Sequence, residues 1–447
     1  MTDQLVEDIR RALVAGTDLT LDDVTGELSP AEWARILSRL PAYEMVTVAH
    51  ALPASDLPDI VADMRSAIGA DLVERMQRPE AAALLEAMDP DDATDIVARL
   101  DDDVATQLLG AMAPGNAQRI RQLLVYPADT AGGRMTPEFL ALRPELTADE
   151  AIAAIRLYRR DAETPYYIYV VDGDGQFRGV LSLHELVMAS GDTPVRELMQ
   201  PETVSVTVDT DQEEAARLLT RRNLLALPVI DHDDHLVGII TEDDVADVIE
   251  EETTEDFERI GGSQPLETPY RHASILLLFR KRIVWLLALF VAEAYTGSVM
   301  RFFEDTLDQV VALSFFIPLL LGTGGNVGSQ ITTTLVRAMA VEELTLRDLR
   351  WILGKEFAVG MVIGVVMAVI AYVRAELLHV GSDVSTVIAF AIAAISIWSS
   401  IVAAVLPLML RKFRFDPTVV SAPFITTLVD GTGLVIYFMI AKSVLGI

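Results

Sequence analysis

From about residue 283 to its end, the chain consists of apolar runs long enough to cross a bilayer: 283–303, 309–338, 351–378, 384–411 and 417–446. Each reaches the roughly 20 residues that a membrane-spanning helix needs, so five transmembrane helices are expected. Lipid offers no hydrogen-bond partners, and every polar group placed there must find one inside the protein or in a wet cavity. Two departures from plain apolar sequence therefore matter. The second run contains Phe316-Ile317-Pro318-Leu319-Leu320-Leu321-Gly322-Thr323-Gly324-Gly325-Asn326-Val327-Gly328-Ser329-Gln330, with four glycines, an Asn and a Gln. The last run carries Asp430 near its middle. A carboxylate at mid-bilayer costs about 2.5–3.5 kcal/mol even on a lenient insertion scale, so function is its default reading. A water-filled path with one fixed negative charge suits a cation.

Basic residues set the orientation. Arg280-Lys281-Arg282, then Arg337, Arg347, Arg350 and Lys355, then Arg411, Lys412 and Arg414 flank one set of loops. The alternate loops hold Arg301 and Arg374 beside Glu304, Asp305, Asp308, Glu376 and Asp383. Positive loops stay cytoplasmic, which puts the N-terminal half inside and, after five spans, the C-terminus outside. Met1 to Arg11 is polar and acidic, so no secretory signal is expected.

Of 66 acidic and 35 basic residues, only 12 and 13 lie from Ile275 onward, so the net charge of −31 resides in the first 274 residues. Such a surface repels nucleic acid and gathers counter-cations; an acidic, halophilic-type proteome would produce the same balance. No cysteine is present, which excludes thiolate metal sites.

Within the acidic half, Leu28, Leu40, Leu52, Met64, Met76, Met88, Leu100, Met112 and Leu124 fall every 12 residues. Repeats this short predict stacked short helices, as in an α-solenoid. Asp89-Pro90-Asp91-Asp92-Ala93 reads as a helix start, and Asp91, Asp92 and Asp95 are open to either capping or metal ligation. From Met135 a second repeat appears. Met135-x-Pro137 is echoed by Met199-x-Pro201, Tyr167 to Asp172 by Ala226 to Asp231, and Arg178 to Ser182 by Val237 to Thr241. These α/β units resemble a tandem pair of cystathionine-β-synthase (CBS) domains. Many such pairs bind adenosine nucleotides through a Ser or Thr followed by Asp three residues later. The second copy has Thr241 and Asp244, the first Ser182 and Glu185, a pattern that admits ATP as a modulator. The run from Glu242 to Glu258 then predicts an acidic helix with a narrow apolar stripe of Val245, Val248 and Ile249.

Pro318 followed by Gly325-Asn326-x-Gly328-x-Gln330, with Pro423 and Thr427-Leu428-Val429-Asp430 downstream, resembles the MgtE family of magnesium channels and transporters. The order of the upstream segments extends the resemblance over nearly the whole chain. It implies a multidomain membrane protein: an all-α, solenoid-like N domain (1–130), an α/β CBS pair (131–194 and 195–252), an acidic plug helix (253–274) and a five-helix transmembrane domain (275–447). It also implies a bacterial-type plasma (inner) membrane, and a homodimer with the pore at the subunit interface. On this reading Asp430 supplies charge for hydrated Mg2+. Asn326, Gln330 and the backbone around Gly325 and Gly328 supply neutral oxygens, and Pro318 shapes the path. Cytosolic Mg2+ bound among Asp91, Asp95, Asp243, Asp247, Glu251, Glu255 and Glu258 would close it. Glu293 is balanced between a second ion contact and a helix–helix hydrogen bond.

A nucleotide-regulated transporter of Co2+ or Mn2+ is the alternative. Enzymatic rivals lack their motifs: no H-E-x-x-H occurs, Lys-Ser/Thr does not follow Gly322-Thr323-Gly324-Gly325, and His232-Asp233-Asp234-His235 reads as a polar turn.

Overall fold

The computed structural model describes residues 6–7, 9–11, 28–157, 166–201, 204–266, 268, 270–271, 273–342, 344, 346–413, 415–416, 418 and 422–447. It forms two compact units, Met1–Glu252 and Thr253–Ile447.

The first unit begins with short helices at the period expected from sequence: α1 (Pro30–Leu37), α2 (Ala42–Ala51), α3 (Leu57–Ala62), α4 (Ser66–Arg75), α5 (Arg78–Ala87), α6 (Pro90–Val97), α7 (Asp102–Ala111) and α8 (Pro114–Leu123). Prolines at the first or second position of α1, α3, α5, α6 and α8 lack only an N–H that no helix start could use, and their fixed φ pre-sets the turn. Leu40, Leu52, Met64, Met76, Met88, Leu100 and Met112 lie buried just after successive helices. Each helix packs on the one two further along, so neither face of the stack is closed by a single repeat.

A short α9 (Ala131–Arg134), capped by Thr130, leads into two sheets of identical topology. In the first, β1 (Ala141–Leu142) runs parallel to β2 (Tyr167–Val171), which pairs antiparallel with β3 (Phe177–Ser182). In the second, β4 (Val206–Thr207), β5 (Ala226–Ile230) and β6 (Leu236–Thr241) repeat the order, with a register shift at the matching place. Helices α10 (Ala148–Leu157), α11 (Leu183–Met188), α12 (Val195–Leu198) and α13 (Gln212–Arg222) cover them. The leading methionines are exchanged between copies. Met135 joins the core of the second sheet and Met199 packs on that of the first, while Thr136 pairs with Ile239 and Gln200 with Val180. The cut at residues 194/195 therefore separates segments that share cores.

Helix α14 (Glu242–Ile260) follows β6 without a break. The expected separate plug over 253–274 instead begins as the C-terminal half of α14, which ends at Gly261 and Gly262, the latter at φ +76°. No Gly or Pro lies between Glu242 and Ile260 to divide it.

The second unit contains α15 (Ile275–Phe302), α16 (Glu304–Gln309), a 3-10 turn at Val311–Phe316, α17 (Ile317–Glu342), α18 (Leu349–Leu377), α19 (Ser382–Lys412) and α20 (Ala422–Leu445). Among the described residues, four helical segments are long and apolar enough to cross a membrane: Val311–Val341, Leu349–Leu377, Ser382–Lys412 and Ala422–Leu445. α15 is 28 residues long and carries Arg280, Lys281, Arg282, Glu293 and Arg301. Small residues let α18 and α19 approach closely, with Gly360 against Ser400 and Gly364 against Ala393 and Ser396. The buried Tyr437 hydroxyl donates to the Leu313 carbonyl at 2.9 Å, and Phe438 stacks on Phe303 with ring centroids 4.8 Å apart.

Candidate cation site

The glycine-rich stretch is continuous helix rather than a loosened loop. Three of its four glycines are explained by shape. A Cβ at Gly324 would lie 2.7 Å from Ile395 and 2.8 Å from Val429, one at Gly325 2.7 Å from Thr426, and one at Gly328 2.6 Å from Ile425 and 2.8 Å from Ser399 Oγ. α17 thereby sinks against α19 and α20, and Ser399 Oγ donates to the Gly324 carbonyl at 2.6 Å. Gly325 and Gly328 are thus buried, whereas Pro318, Gly322, Asn326 and Gln330 are exposed. The last three recur every four residues, which puts the amides of Asn326 and Gln330 in one exposed stripe of the helix.

Asp430 stands on α20 beside this seam. At about 100° per residue, it lies between Thr426, which meets Gly325, and Gly431, which meets Tyr295 and Thr296 of α15. It is half-buried, and its Oδ1 is shielded from solvent without a hydrogen-bond partner among the described residues. An ionised carboxylate in that state is costly and is relieved by a cation or its water. Thr426 of α20 thus packs on Gly325 of α17, Asp430 follows one turn further along α20, and Asn326 and Gln330 are exposed on α17. Carboxylate, amides and hydroxyls, with no His or Cys among them, are donors that suit a hard, oxygen-loving ion.

The seven acids expected to sense Mg2+ meet different fates. Asp95 and Glu251 are both held by Arg134, which is 11% exposed; Arg134 Nη1 to Asp95 is 2.9 Å. Arg134 Nε also donates to Gln212 at 2.9 Å, and Gln212 donates to Glu252. Burial pushes the Asp95 carboxyl up while Arg134 pulls it down. Arg65 and Arg99 of the helical stack reach Glu250 and Glu251 of α14 at 3.0 and 4.0 Å. The arginine clamp escaped the sequence reading. Its signal was a lone base after Ala131-Gly132-Gly133 in an acidic half-chain.

Asp243 and Asp247 face other acids. Burial pushes Asp63 and Asp89 up, and the neighbouring carboxylates of Asp59 and Asp243 add to it. Burial likewise raises Asp247, with Glu251, Glu250 and Asp63 contributing. Asp59 and Asp63 were not singled out from sequence, and Asp89 was read there only as part of a helix start. Asp91 lies in the first turn of α6, next to Asp89. Glu255 pairs with Arg259, which also binds Asp416, and Glu258 accepts from the Leu266 N–H at 2.6 Å.

At the CBS pair, Asp244 accepts from Thr241 Oγ1 at 2.6 Å and from its N–H at 3.1 Å, and burial raises this carboxyl to about 7. Ser182 and Glu185 form the matching capping box. His235 Nδ1 lies 3.0 Å from Asp231, and Asp231, Asp233 and His235 could converge on an ion, but Asp231 Oδ1 already accepts the turn's N–H groups from Asp233 and His235 at 2.9 Å.

Comparison with known proteins follows these boundaries. Residues 317–440 match the family model of the MgtE divalent cation transporter, 28–129 the MgtE intracellular N domain, and 131–192 and 195–251 the CBS domain. The chain is 40% identical to magnesium transporter MgtE of Thermus thermophilus over 333 residues, 74% of each chain. It is 32% identical to magnesium transporter MgtE of Bacillus subtilis over 335 residues, 75% of this chain and 74% of that one. A crystal structure of the cytosolic domain of the Mg2+ channel MgtE in complex with ATP is similar at 34% identity and a TM-score of 0.50, covering 54% of this chain and 99% of that one.

Proposed function

The chain belongs to the MgtE family of magnesium transporters, and from that premise we propose that it is a channel through which hydrated Mg2+ enters the cell down its electrochemical gradient, past Asp430. The observation that carries this reading is the buried Asp430 Oδ1, unpartnered among the described residues, on a helix of membrane-spanning length that packs on α17. Mg2+ sheds its water reluctantly. One carboxylate with neutral oxygens therefore suits the hydrated ion, and Co2+ or Mn2+ of similar size would compete. α15 is taken as the fifth span, with Arg280-Lys281-Arg282 on the cytoplasmic side and the C-terminus outside. The exposed stripe calls for a second copy across it, and a two-fold dimer would enclose the path.

Regulation is assigned to the acidic half. Asp59, Asp63, Asp89, Asp243 and Asp247 repel one another, and a divalent cation among them would favour the arrangement it bridges. α14 runs from these acids into the second unit and would carry that bias, with Glu255 and Glu258 in its last turns. ATP is assigned to the CBS pair at Thr241 and Asp244, by likeness to the ATP-bound relative.

The test is Mg2+ uptake by magnesium-starved cells carrying wild type or Asp430→Ala at matched membrane abundance. The alanine variant loses uptake. Uptake at the wild-type rate would overturn the assignment, and uptake of Co2+ in preference to Mg2+ by wild type would favour the alternative cargo.

A further inference from the structure

α15 packs on α20 at Gly431, the residue after Asp430. A Cβ built on Gly431 would touch the Tyr295 ring and lie 3.4 Å from Thr296 Oγ1. Thr296 is 6% exposed, and its hydroxyl has no hydrogen-bond partner. Helical threonines ordinarily bond the carbonyl one turn back, as Thr323, Thr334, Thr426 and Thr432 do here at 2.7, 2.8, 3.0 and 2.9 Å. A buried hydroxyl that forgoes this bond is costly unless something else uses it. Glu293 lies three residues earlier, on the adjoining face of the same helix. It is exposed, has no ion pair among the described residues, and stands one turn before Thr296, whose helix meets Gly431 next to Asp430. An acid at that depth facing hydrocarbon alone would be expensive.

We propose that α15 supplies the second half of the cation site, with Glu293 as a second carboxylate and Thr296 as a neutral oxygen beside Asp430. The inference rests on Asp430 being the permeation site. The two carboxylates together match the charge of one divalent ion. The Thr296 hydroxyl oxygen accepts a hydrogen bond from the ion's water shell, and its proton, which is not given to its own helix, is free to point to a carboxylate of the site. Glu293 and Asp430 repel when the site is empty, so the pair favours a divalent occupant over a monovalent one.

The experiment is Mg2+ flux through the full chain in liposomes, measured against Mg2+ concentration for Glu293→Gln, Thr296→Val, Thr296→Ser and Asp430→Asn at equal reconstituted protein. Glu293→Gln raises the half-saturating concentration about tenfold, and Thr296→Val raises it about threefold. Thr296→Ser, which keeps the hydroxyl, restores the wild-type value. Should Glu293→Gln fail to reconstitute, Glu293→Asp keeps the charge and shows a smaller shift of the same sign. An unchanged half-saturation for either Gln or Val variant, with Asp430→Asn inactive, removes that residue from the site and leaves the proposed function standing. A lowered maximal flux shared by Thr296→Val and Thr296→Ser would make Thr296 a packing residue. Wild-type flux in Asp430→Asn would overturn both readings.

Discussion

Arg134 offers the sharpest test of how the acidic half is held. Arg134→Met keeps the stem and removes the charge, leaving Asp95 and Glu251 facing each other without their common partner. Breaking a fully buried pair costs about 3–5 kcal/mol. The partner side chains are 27% and 38% exposed, so water offsets part of this and about 2 kcal/mol is expected. For a unit of this size that corresponds to a fall of about 4–8 °C in Tm. The assay is thermal unfolding of residues 1–260 in chelator and in excess Mg2+; a relative's cytosolic domain has been crystallised by itself. The variant falls by the stated amount in chelator. Mg2+ then recovers more of the loss in the variant than it adds to wild type, because a cation can occupy the vacated carboxylates. Adding Asp95→Asn to Arg134→Met restores part of the stability without Mg2+, since less charge is left unpaired. A drop under about 1 °C in chelator, or equal stabilisation of both proteins by Mg2+, would refute the clamp.

Two further outcomes follow from single side chains. Asp244 has its folded-state carboxyl raised to about 7, so the folded unit binds more protons than the unfolded chain between the usual carboxylate range and that value, and stability is lost as pH rises through this window. Asp63, Asp89 and Asp247 act in the same direction. Asp244→Asn therefore removes about 2 kcal/mol of the stability lost between pH 5 and 8, read as a flatter fall of Tm with pH; an unchanged slope would show that Asp244 is not desolvated. In the membrane unit, Gly324→Ala pushes a methyl into Ile395 and Val429, both stiff at χ1, and costs about 1–3 kcal/mol. Gly322→Ala meets nothing within 4 Å and is neutral or slightly stabilising. Thermal aggregation in detergent compares the two, and equal behaviour would deny the close approach of α17.

The sequence alone determined what depends on local chemistry and pattern. The 12-residue period with its prolines specified short stacked helices, since each proline starts a helix and each Leu or Met closes one into the core. The doubled strand pattern specified two like α/β units, and the apolar runs specified long helices, because periodicity and length need no distant partner. Asp430 stood out because an acid among apolar residues has few bland explanations. What the tertiary structure decided were matters of distance between remote segments. Gly324, Gly325 and Gly328 look like a loop in sequence, but they are helix interior whose missing side chains admit Val429, Thr426 and Ile425. Arg134 and Glu251 are 117 residues apart, and no local pattern foretells that a base after two glycines will neutralise two acids chosen as metal ligands. The Thr296 hydroxyl gains meaning only once Gly431 is set against it. Sequence shows which groups a segment must bury or expose, whereas the partner that satisfies a buried charge or hydroxyl is fixed by packing across the fold.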